Sequence, residues 1–206
     1  MIDLSDAIKQ RRSIRKYKNK VVPVGVIKEI VKAAAWAPSA HNAQPWRFVI
    51  LTNKTNKRGL AEVMAQVWLK ELDEDGVLKT EREALVTISV NRFSKAPVLI
   101  LACLTYENLD KYTDEKRTTI ERDLAIQSLG AAIQNLLLMA HAKGLGACWF
   151  CAPNFCKQEI RKILEIPKEF EPQALITIGY ADEKPKPPIR KNIENFAHKE
   201  KWGKLI

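Results

Sequence analysis

The stretch Ile120–Lys143, closed by Gly144-Leu145-Gly146, constrains the fold more than any other part of the chain. Its apolar residues, from Leu124, Ala125 and Ile126 through Leu136, Leu137, Leu138 and Met139 to Ala142, leave almost no polar face past the first turn, which in a helix means burial on most sides. The rest of the chain must therefore build layers around it. Thr118 and Thr119 are candidate caps, Glu121 and Asp123 suit the positive end of the helix dipole, and Lys143 with Gly144 supplies the stop. A membrane span needs ~20 predominantly apolar residues. Gln127, Ser128, Gln134, Asn135 and His141 interrupt this run, so a core helix is expected and no membrane.

A chain of 206 residues with 46% hydrophobic and 28% charged residues is expected to form one globular domain, 1–206, with 184–206 as an extended C-terminal tail. The opening Met1-Ile2-Asp3-Leu4-Ser5-Asp6 is not a secretory leader, which predicts a cytoplasmic protein and free thiols at Cys103, Cys148, Cys151 and Cys156. The net charge of +10 favours anionic ligands. Lysines and arginines alternate with acids, as along Lys157–Lys168, without a dense basic tract, so no nucleic-acid partner is expected.

Residues Asp3–Gln10 read as a short amphipathic helix with Leu4, Ala7 and Ile8 on one face. Arg11-Arg12-Ser13-Ile14-Arg15 then places three guanidinium forks and a hydroxyl together, the chemistry of a phosphate clamp. A helix over Val26–Trp36 is stopped by Pro38. The loop Ala37-Pro38-Ser39-Ala40-His41-Asn42-Ala43-Gln44-Pro45-Trp46 is stiffened by its prolines and presents Ser39, Asn42 and Gln44 for recognition. The pattern continues with a strand over Arg47–Thr52, helices over Arg58–Leu72 and Leu78–Asn91, and a buried strand over Pro97–Thr105. A polar loop spans Tyr106–Arg117. After the long helix come a strand over Ala147–Cys151, a helix over Lys157–Leu164, a strand over Gln173–Gly179 and a proline-rich tail. Ile193, Phe196 and Trp202 suggest that the tail docks on a surface.

Cys148-x-x-Cys151, with Cys156 and His141 nearby, lacks the second ligand pair of a zinc site and does not open a helix as a redox dithiol would. No metal is expected. On a strand the two thiols would face opposite ways, one to the core and one to a site. His41 has no serine and acid at triad spacing, and His141 reads as a satisfied structural histidine. Neither a Gly-rich dinucleotide fingerprint nor a P-loop is present.

The arginine cluster, the Ala37–Trp46 loop, the stretch Gly144-Leu145-Gly146-Ala147-Cys148-Trp149 and the late Pro188-Ile189-Arg190-Lys191 occur in the order and spacing of the nitroreductase family, which the chain resembles over nearly its whole length. That resemblance implies an α+β fold, a mixed, mainly antiparallel sheet wrapped by helices around a long buried central helix, in an intertwined homodimer holding FMN at the subunit interface. It implies that Arg11, Arg12, Ser13 and Arg15, with Arg190 and Lys191, serve the flavin phosphate and ring edge. Pro38, Ser39, Ala40 and Asn42, supported by Gln44, would reach the flavin bound mainly by the other subunit. Cys151, Ala152 and Pro153 would pass along one face of the ring, and a further contact falls near Ser89–Arg92. At Cys151-Ala152-Pro153-Asn154 the chain departs from relatives that carry a small or acidic residue and a glycine. The implied activity is ping-pong reduction of an electron-poor acceptor (nitroaromatic, quinone or similar) by NADH or NADPH, with the chemistry on the flavin and no catalytic side chain. The alternatives are a different flavin reaction (fragmentation, dehalogenation or deazaflavin-linked chemistry) or a non-catalytic flavin-binding module.

Overall fold

In the computed structural model, which describes residues 2–206, the chain builds a four-stranded sheet in the order β1-β2-β4-β3, with β1 at Trp46–Leu51, β2 at Val98–Leu104, β3 at Gly146–Phe150 and β4 at Glu171–Gly179. Each neighbouring pair is antiparallel. A single parallel bridge, Ser13 to Ala147, adds the arginine-rich segment along the outer edge of β3 and makes the sheet mixed. Every residue of β2 and β4 is buried, as a short continuous apolar run demands of strands covered on both faces.

Alternation along β2 divides the core in two. Ile100, Ala102 and Leu104 face a cluster with Ile27 and Ile30 of α2 (Val24–Ala34) and Leu129, Ile133 and Leu136 of α5 (Glu115–Ala142). Leu99, Leu101 and Cys103 face a second cluster with Leu60 and Met64 of α3 (Lys54–Glu74), Phe93 of α4 (Lys79–Lys95) and Ile160 of α6 (Lys157–Ile163). The side-chain period of two, read against helical stripes on either side, produces this three-layer arrangement.

Several boundaries differ from the sequence reading. The long helix begins at Glu115, because Asp114 and not Thr118 or Thr119 is the cap, its carboxylate accepting from the Arg117 N–H at 2.9 Å. Its first turn therefore holds Glu115, ahead of Glu121 and Asp123. Glu115, Lys116 and Arg117 are good helix formers that an apolar pattern does not register. The chain buries one broad face of α5 and leaves Ile120 and Ile126 exposed at 47% and 41%, so burial on most sides is not met within a single chain. By length and composition α5 could cross a membrane, yet it packs on the sheet and on α2. α4 runs on to Lys95, and the Lys57 ammonium, buried beneath it, donates to the carbonyls of Ala96 and Pro97 at 2.5 and 3.1 Å.

The short helix α1 (Leu4–Gln10) buries only Ala7, leaving Leu4 and Ile8 in solvent. The C-terminal segment is pinned as far as Asp182, through the Tyr17–Ala181 bridge and the bonds Lys18 N–H to Tyr180 O and Asp182 N–H to Lys16 O. Beyond it the chain is extended apart from a 3₁₀ turn at Ile193–Asn195 and a hydrogen-bonded turn in which the Lys199 N–H donates to Lys204 O. Phe196 and Trp202 are 63% and 90% exposed, so the expected docking of the tail does not occur on its own chain.

Candidate functional site

The Arg11–Arg15 segment is held against β3 by the Ile14 N–H donating to Ala147 O at 3.0 Å and by the Tyr17 hydroxyl, which donates to Ile14 O and lies 2.6 Å from the Thr177 hydroxyl. Backbone approach here is close because position 146 is glycine: a Cβ there would lie 2.7 Å from Ile14 Cβ, Cγ1 and Cγ2. The Glu183 carboxylate accepts from the Arg15 and Lys16 N–H groups at 2.5 and 3.0 Å, fastening the start of the tail to the same segment.

These contacts frame a cavity of about 470 Å³ with a cationic rim of Arg11, Arg12 and Lys184, the imidazole of His141 beside them, and an apolar floor of Ile14, Leu137, Leu145 and Ala147. Arg190, more than 170 residues away in sequence, closes on the same place. The Arg11 guanidinium is held below its ordinary value by burial, then by the charges of Arg190 and Arg12. Neither Arg11 nor Arg190 forms an ion pair with a carboxylate among the described residues. His141 is depressed by burial and by Arg11 and Arg12, and its buried Nε2 has no hydrogen-bond partner among the described residues. The expectation of a satisfied structural histidine is thus overturned. Its signal in the sequence is position: it sits in the last turn of α5, just ahead of the Gly-Leu-Gly bend that leads into Ala147, the bridge partner of Ser13. Arg11 and Arg12 beside an orphaned donor or acceptor, with Arg190 adding a third like charge near Arg11, suit an anion with several oxygens, which offsets the repulsion and the lost hydration.

A second cavity, of about 370 Å³, lies behind β3 and is lined by Phe93, Phe150, Trp68 and Met64 together with Cys151, Ala152, Ser89 and Arg92. The Cys148 thiol lies on β3, the strand that supplies Ala147 to the first cavity and Phe150 to the second. It is buried, and burial raises it, while Arg15, a hydrogen bond from Ser13, Arg92 and Arg11 oppose the rise. β3 ends at Phe150, so Cys151 lies beyond the strand; it is exposed while Cys148 is buried, and Pro153 is buried in the following turn. Ser89 and Arg92 thus fall beside Cys151 and Ala152. Lys191 is exposed in the tail.

The Pro38–Gln44 loop stands elsewhere. His41, Asn42 and Gln44 all have positive φ (53°, 51° and 46°), a run that only a fixed loop sustains. Ser39 Oγ accepts from the Gln44 N–H at 3.1 Å, and the Ala40 N–H donates to Ser128 Oγ of α5 at 3.3 Å. Ser128 precedes His141 by 13 residues, which at the helical rise is about 20 Å along α5. One chain therefore gathers Arg11, Arg12, Ser13, Arg15 and Arg190 but does not bring Pro38, Ser39, Ala40, Asn42 or Gln44 to them.

The nitroreductase family model matches residues 8–180. A Methanothermobacter thermautotrophicus protein with the provisional name NADH dehydrogenase/NAD(P)H nitroreductase is 32% identical over 186 residues, covering 89% of this chain and 80% of its own. An iodotyrosine deiodinase of Thermotoga neapolitana is 29% identical over 197 residues, 92% of this chain and 94% of its own. Among solved structures, a BluB-like flavoprotein of Clostridium difficile superposes with a TM-score of 0.82 at 30% identity, covering 98% of this chain and 100% of that one.

Proposed function

Because the chain belongs to the nitroreductase family, we propose that it is an FMN-dependent oxidoreductase that accepts reducing equivalents from NADH or NADPH and delivers them to an electron-poor small molecule such as a nitroaromatic or a quinone. The observation that carries this reading is the pair Arg11 and Arg12 beside the unpartnered Nε2 of His141, with Arg190 close to Arg11, an arrangement that the phosphate of FMN fits in charge and in number of acceptor oxygens. Arg11, Arg12 and Arg190 hold that phosphate, with Ser13 and Arg15 alongside. Ser13 stays in place through its bridge to Ala147. The apolar floor and the Cys151–Pro153 turn exclude water from the ring. When bound, FMN supplies hydride transfer in both directions at one face, so donor and acceptor use that face in turn and the kinetics are ping-pong.

The remaining ring contacts come from a second copy. Along α5 about 20 Å separates Ser128, which holds the Pro38–Gln44 loop, from His141 beside the arginines, and the exposed Ile120, Ile126, Trp36 and Phe196 supply apolar surface for a partner to cover. A homodimer places the loop of one copy over the arginine-bound flavin of the other. The test is purification followed by heat denaturation: a yellow chromophore that is released and identified as FMN supports the reading, and a colourless protein that does not take up added FMN rejects it.

The likeness to an iodotyrosine deiodinase favours a second reading, flavin-dependent dehalogenation in the same cavity. Anaerobic mixing with NADH and NADPH separates the two. Rapid bleaching of the bound flavin by either nucleotide supports the first, and no bleaching, with dehalogenation under chemical reductant, supports the second.

A further inference from the structure

We propose that His41, Asp110 and Glu121 form a divalent transition-metal site of the Zn²⁺ class, contrary to the expectation, drawn from cysteine spacing, that the chain holds no metal. The three ligands come from three parts of the chain: the 3₁₀ turn Ala40–Asn42, the segment after β2, and the first turns of α5. One ligand atom of each lies within 4.8 Å of the other two. His41 Nε2 stands 3.5 Å from Glu121 Oε1 and 4.0 Å from Asp110 Oδ2. Those separations are too long for hydrogen bonds, whose heavy-atom distances run to about 3.2 Å. Metal–ligand bonds of about 2.0–2.2 Å at tetrahedral angles set neighbouring donor atoms roughly 3.4 Å apart, so the His41–Glu121 pair already stands at ligand spacing and the exposed Asp110 carboxylate has about half an ångström to close.

A second, independent observation points the same way. Glu121 is 7% exposed, and its Oε2 is buried without a hydrogen-bond partner among the described residues. A carboxylate so placed is costly unless a cation meets it. His41 reaches toward it from a left-handed backbone, φ 53°, a conformation held only where the surroundings enforce it. The surroundings are braced: the Thr105 N–H donates to Pro45 O at 2.8 Å, tying the segment that carries Asp110 to the loop that carries His41. Asp110 and His41 are open to solvent, which provides an entry path and room for water as the fourth ligand. An imidazole with two carboxylates suits Zn²⁺ and its relatives better than Ca²⁺ or Mg²⁺, which prefer oxygen alone. Bound there, the ion would fix the Pro38–Gln44 loop to α5, and the site stands whether or not the flavin reading holds.

Co²⁺ reports its ligands by visible d–d absorption, so the experiment is titration of the full-length, chelator-treated protein with Co²⁺, followed by displacement with Zn²⁺. One equivalent per chain, a four-coordinate spectrum without thiolate charge transfer, and displacement by Zn²⁺ are expected. His41→Ala and Asp110→Asn, which alter exposed side chains, should each weaken binding about tenfold or more. Glu121→Gln should do the same. Failure of the native protein to take up Co²⁺ overturns the proposal. So does undiminished uptake by His41→Ala and Asp110→Asn, or a spectrum dominated by thiolate charge transfer, which would assign the ion to the cysteines.

Discussion

Gly146→Ala tests how the arginine segment is held. The added methyl would sit 2.7 Å from three carbons of Ile14, one of them Cβ, which no rotamer change can move away. Carbon atoms in contact prefer about 3.5–4.0 Å, so Ile14 must retreat by roughly 0.8 Å or more. Its retreat strains the bond from its N–H to Ala147 O and the bridge at Ser13. Overpacking costs about 1–3 kcal/mol and a lost hydrogen bond about 1 more, so ~2–4 kcal/mol of destabilisation is expected. Gly130→Ala is the matched control: its methyl meets only Trp149 Cη2, at 3.8 Å, and removing a glycine from inside α5 should stabilise by about 0.5–1 kcal/mol. Urea denaturation at one fixed protein concentration reads both, with flavin retention on a desalting column as the second readout. A Gly146→Ala protein with an unchanged midpoint and unchanged flavin would refute the reasoning, because the close approach would then neither carry strain nor position Ser13 and Arg15.

Four further outcomes are expected. Arg11→Ala and Arg190→Ala should each weaken FMN by about 1–3 kcal/mol in an equilibrium fluorescence titration; unchanged affinity in both would remove the shared anion site. In NMR titration the His141 imidazole, held down by burial and by Arg11 and Arg12, should take up its proton below 6.5 without ligand and at higher pH once FMN or phosphate is added, and an unmoved midpoint in the liganded protein would contradict its place in the site. Ellman's reagent should react quickly with Cys151 alone in the native protein, since burial pushes Cys103 and Cys156 up to about 12 and also raises Cys148; a second fast thiol would count against that. Glu171 accepts from Tyr106, Arg122 and Gln173 at 2.7, 2.7 and 2.9 Å and pairs with Lys157. Burial alone would raise its carboxyl, but hydrogen bonds from Lys157 and Tyr106 and the charges of Lys157 and Arg122 hold it below 4.5. A depressed folded value means stability present above the unfolded value and lost as pH falls through the folded one, so Glu171→Gln should be less stable at neutral pH and flatten the acid limb below about pH 4.5. A parallel pair of pH–stability curves would show that the carboxylate contributes nothing.

Elements with strong periodicity were legible in the chain. The run Val98–Leu101 gave a strand because burial on both faces leaves a stretch no polar residue interrupts, and the apolar half of α5 gave a helix because its long run keeps apolar residues at helical spacing. The start of α5 was not, since Asp114 caps by a side-chain hydrogen bond and the turn it opens is polar. Exposure of Ile120, Ile126, Leu4 and Ile8 was also hidden: a periodic stripe states that a face is apolar and is silent on whose surface covers it. At the site, the clustering of Arg11, Arg12 and Arg15 followed from adjacency, whereas the meeting with Arg190 followed from the resemblance alone. The orphaned His141 and Glu121 were invisible for a further reason. Whether a buried polar atom lacks a partner depends on every neighbour in three dimensions, and no spacing encodes it.

The position of β4 in the sheet bears on how the molecule is made. The last strand in sequence lies between β2 and β3, so a ribosome must have synthesised Glu171–Gly179 before either neighbour has its inner edge hydrogen-bonded. Until then β2 displays a bare apolar margin, Val98 to Leu104, open to pairing with any other nascent chain. A truncation before Glu171 would therefore produce an aggregating species and not a smaller enzyme, and slow synthesis across residues 105–170 would lengthen the time spent in that state.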